Sequence, residues 1–208
     1  MQSFKEVKHT IAELSGVYPI IHDICINLCL TYTAIWKDLT HCPMYNEPRL
    51  HQGKSQQWFY MLSISPQLQA LWRSPEGACN MHYHKECTHE LLAELTGNGG
   101  NLAAYDDILC GSDYLDQVIE SKIQSSDMVL MLSLDGTQLY QCKVSDTWIK
   151  IWIVFNCAPR IHYKKKLVLP GFFIPGLKPP KLMDSFSFPA IYHLSTIQNE
   201  ELPIWDAE

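Results

Sequence analysis

The chain of 208 residues lacks any apolar run long enough to cross a bilayer. Its most hydrophobic stretch, "WIKIWIVF" at 148–155, is short and carries Lys150. The N-terminal "MQSFKEVKHT" is mixed and charged, so the pattern of a signal peptide is missing too. There are no internal repeats and no low-complexity tracts. These absences point to an intracellular, reducing location with no membrane partner. There, eight cysteines are expected as thiols or metal ligands rather than disulfides. A surplus of basic charge is also absent: the net charge of −6 disfavours indiscriminate nucleic-acid binding.

What is present is an ordinary globular composition, 47% hydrophobic and 18% charged, in a chain long enough to bury a core. The charge is uneven. From Cys157 to Met183 there are six basic residues (Arg160, Lys164, Lys165, Lys166, Lys178 and Lys181) and no acid, which leaves −12 for the remainder. A single basic run is usually a solvated face. It becomes a DNA-backbone contact only as part of a larger site.

"SFKEVKHTIAELSG" reads as a helix, with Ser3 and Glu6 at capping-box spacing. Phe4, Val7, Ile11 and Leu14 share one face, and Gly16 is the stop. Residues 20–50 are turn-rich and carry cysteines. "SPQLQALWRSP" predicts a short helix between prolines, and a second helix is expected over 81–96, ending at "TGNGGN". "GSDYLDQVIESKI" offers Ser112 as N-cap and Tyr114, Leu115, Val118 and Ile119 as a buried face. After residue 126 the character changes. "DMVLMLSLDG" and "DTWIKIWIVFNC" read as neighbouring antiparallel strands, joined by the polar "TQLYQCKVSD". "YKKKLVLPGFFIPG" reads as a third strand, broken by Pro170 and Pro175. A helix then follows from an Asp184 cap with Pro189 near its start. "LPIWDAE" reads as the start of a further strand, so the β-β-β-α pattern is expected to be cut short.

Three constellations could carry chemistry. Cys25-x3-Cys29 followed by Cys42-Pro43 has the form of two zinc-ribbon knuckles, except that position 45 is Tyr where the second thiolate belongs. His22 and His41 are near enough in sequence to supply a fourth ligand. "CNMHYHKECTHE" packs Cys79, His82, His84, Cys87 and His89 into a short stretch. On a helix, however, only pairs three or four apart share a face, so these read as polar positions of an exposed helix. Asp135 ends an apolar run with Gly136 behind it, ordinarily a turn pair. A metal-dependent nuclease would need two further converging acids. Asp146, Asp184, Glu200, Glu201, Asp206 and Glu208 offer no convincing partner.

Residues 127–189 carry "S-x-D-G", "S-D-x-W-I-x-I-W", "Y-K-K-K-x-x-L-P-G-x-x-I-P-G-x-x-x-P" and "D-S-F-x-F-P". This block resembles the conserved region of fungal Plavaka-type transposases, relatives of the CACTA (En/Spm) DDE transposases. "CPMYNEPRL", "QLQALWRSPEG" and "GSDYLDQVIESKI" are similar to other stretches of these proteins, and "HDICINLC…CP" to their zinc-binding ribbon. The resemblance implies an α+β protein with an incomplete RNase H-like core. Residues 1–19 would be an N-terminal helix, 20–50 a degenerate zinc ribbon, 51–125 a helical connection and 126–208 the first part of the core. It implies Asp135 as the first catalytic acid, binding Mg²⁺ or Mn²⁺ in a site incomplete here. Zn²⁺ is expected at Cys25, Cys29, Cys42 and His22, and the basic residues 160–181 near DNA. The partners implied are transposon ends and full-length transposase, in the nucleus. The family activity is DNA cleavage and strand transfer, and the chain is expected to be inactive. The alternative is a domesticated remnant that binds DNA or protein.

Overall fold

A computed structural model describes residues 3–138, 146–176 and 178–207. Most of the expected polar link at 137–146 falls outside these residues, as does Cys142. The fold is α+β, built on a five-stranded antiparallel sheet with helices.

The first helix, α1 (Phe4–Ser15), forms where the caps place it. The Ser3 hydroxyl accepts from the Glu6 N–H, the Glu6 carboxylate accepts from the Ser3 N–H, and Gly16 closes the helix at φ 70°. Its apolar stripe is not buried: Val7, Ile11 and Leu14 are exposed and Ala12 is the residue that packs. The region expected to be turn and helix instead supplies strands. β1 (Pro19–Ile24) and β4 (Gln57–Leu62) pair antiparallel, with the hairpin of β2 (Leu50–His51) and β3 (Lys54–Ser55) between them.

After β4 come α2 (Ile64–Trp72), α3 (Pro75–Met81), α4 (Tyr83–Gly97) and α5 (Ser112–Ile119). The single helix expected over 81–96 is thus preceded by a separate one, which Ser74 caps by accepting from the Gly77 N–H. Gly111, rather than Ser112, is the N-cap of α5, and Ile119 is exposed where burial was expected.

The C-terminal part gives β5 (Leu130–Gln138), β6 (Asp146–Val154), a short α6 (Pro159–His162), β7 (Val168–Gly176) and α7 (Met183–Glu200). The third strand is not broken by its prolines. Its register with β4 pairs Tyr60 with Phe173 and Met61 with Phe172, between Pro170 and Pro175, so the missing N–H groups fall outside those pairs. Both proline carbonyls are used, by Gln67 at 2.9 Å and Gln57 at 3.3 Å. Leu182, not Asp184, is the N-cap of α7, and residues 202–207 form no strand.

The sheet order is β1-β4-β7-β6-β5. The chain divides into two compact units. The first comprises Met1–Ala70, Leu132–Ile151 and Leu169–Ile204. Its core packs Phe59 edge-on against Phe172 and at a tilt against Phe186, all fully buried, with ring centroids 5.7 and 5.6 Å apart. The second comprises Leu71–Met131, Trp152–Val168 and Trp205–Glu208. Leu91, Leu102, Leu109, Cys110 and Leu115 form a core within it.

Candidate metal centre

Two tight turns build the centre. The first follows β1: Cys25 N–H donates to the Leu30 carbonyl at 2.9 Å, and Leu28 N–H to the Cys25 carbonyl at 2.8 Å. The second repeats the pattern, with Cys42 N–H on Glu47 O and Asn46 N–H on Cys42 O, each at 2.8 Å. Leu28 at φ 54° and Asn46 at φ 55° take the left-handed conformation that reverses each turn. Isolated bridges, Ile24 with Thr31 and His41 with Pro48, close the bases of the two loops.

These turns bring the thiols of Cys25, Cys29 and Cys42 within 4.8 Å of one another, all three buried. Zinc–sulfur bonds of about 2.3 Å in a tetrahedron place sulfurs a little under 4 Å apart, so the three fit three corners of such a site. The backbone is set for thiolates. Against the cost of burial, the N–H groups of Met44 and Tyr45 and the neighbouring thiols hold Cys42 below the ordinary thiol range. Burial, reinforced by the other two sulfurs, pushes Cys29 up to about 12, and burial also raises Cys25. Three crowded thiols that cannot all ionise alone are a natural cation site.

The segment entering α7 clamps the first turn. Lys181 N–H donates to Leu28 O and Leu182 N–H to Cys29 O, both at 2.9 Å, and the Ser185 hydroxyl accepts from Thr31 N–H at 3.1 Å. Gly176, at the end of β7, lies under Leu28, whose side chain would meet any Cβ there. Arg49 forks onto Asp23 at 2.7 and 2.8 Å and lies over the Tyr32 ring, tying β1 to the chain beyond the second turn. Tyr32 is itself buried, with its hydroxyl unpartnered. Burial, followed by the charges of Cys25 and Cys42, pushes its pKa up to about 12.

The expected fourth ligands are not brought in. Among the described residues, no His, Asp or Glu joins the three cysteines. The β1–β4 register sets His22 opposite Phe59, and its ring packs on that phenyl at 5.4 Å. His41 is exposed and hydrogen-bonds Thr40. Tyr45, in the place of the missing cysteine, is exposed under the Lys181 ammonium, which donates to its hydroxyl.

Asp135 sits inside β5, which continues through Gly136 to Gln138, so the pair is not a turn. The strand is the last in the sheet order, and Asp135 is exposed and accepts from the Gly136 N–H at 2.7 Å. No cluster of three metal-ligating side chains includes it among the described residues. Of the basic run, Arg160, Lys164 and Lys165 are exposed, as is Lys178. Lys166 pairs with Glu76 at 3.0 Å, and Lys181 is engaged at the metal turns.

The histidine-rich stretch is not uniformly an exposed face. Cys79 and His89 are exposed, but His84 is buried, and a chain of hydrogen bonds fixes it. Thr88 gives its hydroxyl proton to the His84 carbonyl, so Tyr114 must donate to Thr88 and His84 Nε2 to Tyr114, each at 2.6 Å. Sequence reasoning also missed Lys150 as a core residue. It is fully buried over the Phe172 ring, and burial lowers its pKa to about 8. Its only sequence signal was a lone charge inside an apolar strand.

Comparison with protein-family models, curated proteins and solved structures gives no match to this chain.

Proposed function

We propose that this chain is a transposase-derived protein that carries the opening strands of an RNase H-like nuclease core, is held together by zinc at Cys25, Cys29 and Cys42, and acts on DNA in the nucleus without cutting it. The observation that carries the reading is the fate of residues 127–189, the stretch that resembles the DDE transposases. It forms three sequence-consecutive strands, neighbours in the order β7-β6-β5, followed by α7. Asp135 lies on the edge strand, and an edge is what a further strand needs in order to pair. The cysteine turns docked on the segment entering α7 support a zinc-binding element built into the same unit.

A non-catalytic role follows from the company Asp135 keeps. Two-metal phosphoryl transfer needs several carboxylates on one pair of cations, and that set is missing among the described residues. The exposed Arg160, Lys164 and Lys165 would supply a modest, salt-sensitive DNA contact.

Two measurements on the purified 208-residue chain test the reading. The first is elemental analysis, where one zinc per chain is expected and its loss in Cys42→Ser. The second is incubation with transposon-end DNA and Mn²⁺, together with a salt-dependent binding titration. The expected result is binding that weakens with salt and no cleavage. Cleavage abolished by Asp135→Ala would overturn the non-catalytic reading. Absence of both zinc and DNA binding at low salt would overturn the whole.

A further inference from the structure

The three sulfurs of the metal centre are its whole donor set among the described His, Cys, Asp and Glu residues. Cys25, Cys29 and Cys42 bring their thiols within 4.8 Å of one another, and each residue is no more than 1% exposed. The groups that would fill a fourth corner are engaged elsewhere. His22 packs on Phe59, His41 bonds Thr40, and the Tyr45 hydroxyl accepts from Lys181. The buried Tyr32 hydroxyl makes no hydrogen bond to a sulfur or to any other group.

Two requirements decide which ion such a site holds best. The first is coordination number. Zinc is four-coordinate in structural sites, so at three sulfurs it must bring a further ligand with it. A trivalent arsenic or antimony centre forms three bonds in a pyramid, and its lone pair takes the remaining corner. Thiolates are soft donors and select a thiophilic partner.

The second requirement is charge. Three thiolates around divalent zinc leave one net negative charge, and around monovalent copper they leave two. Around a trivalent centre they leave none. Uncompensated charge in a buried place is costly. The two cations tied to these turns are already committed: Arg49 is paired with Asp23, and Lys181 is exposed and donates to Tyr45. A neutral trithiolate therefore suits the site better than a charged one.

The geometry points to a site for trivalent arsenic or antimony at Cys25, Cys29 and Cys42, taken up as the neutral hydroxide and held by three sulfur bonds, with zinc expelled. This deepens the reading of the three cysteines as a metal centre and rests on it. The exchange balances without a redox step. Three Zn–S and three As–O bonds break and three As–S bonds form, so the zinc trithiolate, As(OH)₃ and three protons give the arsenic trithiolate, three waters and free Zn²⁺. From the metal-free thiols the same product forms with loss of three waters alone.

Entry falls to the second turn. The first is pinned by Lys181 and Leu182, whose N–H groups donate to Leu28 O and Cys29 O. The second is closed by bonds from Cys42 N–H to Glu47 O and from Asn46 N–H to Cys42 O, and its Met44 and Tyr45 are exposed. Cys42 is thus the sulfur placed to exchange first.

The test uses the purified, zinc-loaded chain under a phosphine reductant, because dithiol reductants compete for arsenite. Sodium arsenite is added in the presence of a chromophoric zinc chelator, and the product is read by native mass spectrometry. One zinc is expected to be released for each arsenic bound, at one arsenic per chain. The mass gain over the metal-free chain should equal one arsenic less three hydrogens, which only three sulfur bonds give. Cys42→Ser should lose this species, whereas Cys79→Ser, at an exposed cysteine outside the cluster, should keep it. X-ray absorption at the arsenic edge of the parent, with three sulfur neighbours expected, keeps the test independent of whether Cys42→Ser folds. The proposal is overturned if the bound arsenic keeps a hydroxyl or if Cys42→Ser retains the three-bond species. A chain that holds zinc and refuses excess arsenite overturns this inference alone. A chain that takes up neither overturns the metal-centre reading with it.

Discussion

Lys181 donates its ammonium to the Tyr45 hydroxyl and lies 3.9 Å from the centre of that ring, at the position where a second knuckle would present a thiolate. The same residue's backbone N–H holds the first turn through Leu28. One residue of the basic run thus serves both metal turns, and the tyrosine leaves the tetrahedron with three protein sulfurs. Tyr45→Cys should complete it. Competition against a chromophoric chelator is expected to show zinc held more tightly than by the parent. An unchanged affinity would mean that position 45 does not reach the metal.

Zinc affinity should depend steeply on pH. Burial raises Cys25 and Cys29, the latter with its two neighbouring sulfurs, so they hold protons at neutral pH that the metal must displace, whereas Cys42 is lowered. The logarithm of apparent affinity between pH 6 and 8 is expected to rise with pH, as protons leave the thiols that the metal takes. A flat profile would show that the thiols ionise without the metal.

Gly136 lies beneath the Trp148 indole, and a Cβ there would come within 3.1 Å of the ring. Gly136→Ala is expected to cost about 1–2 kcal/mol in urea unfolding, as overpacking does, while the neighbouring exposed Asp135→Ala stays within about 0.5 kcal/mol. This contrast separates the two residues of the motif. Equal costs for the two substitutions would show that the Trp148 ring gives way and that the glycine is not held there by packing.

Lys150 gives a stability term with a definite sign. Its folded-state pKa of about 8 is below the usual 10.5, so between those pH values the unfolded chain binds more protons than the folded one. Stability therefore rises with pH across that window, by about 3 kcal/mol in all at about 1.4 kcal/mol per pH unit. Below pH 8 the lysine is charged in both states and the penalty is at its full value. Lys150→Met should remove this slope, read as the difference between parent and variant denaturation midpoints from pH 7 to 10.5. Parallel profiles would count against it.

Legibility in the sequence followed the range of the interactions. The capping box of Ser3 and Glu6 and the Gly16 stop are local, and they formed as read. The three strands after residue 126 and the helix after them were also legible, because alternation and apolar runs are short-range patterns. β4 was missed. "QWFYML" is a six-residue strand in a region read as helical, and its partner lies some forty residues upstream in β1.

The spacing of the cysteines by itself determined that two turns would present thiols, since a tight reversal needs only its own few residues. Tertiary structure decided the rest. The β1–β4 register carried His22 to Phe59 instead of to the metal. The strand order set Asp135 on an edge. The packing of β6 against Phe172 put Lys150 in the core. Those outcomes depend on pairings between distant segments, and a shift of one residue in register exchanges the two faces of a strand.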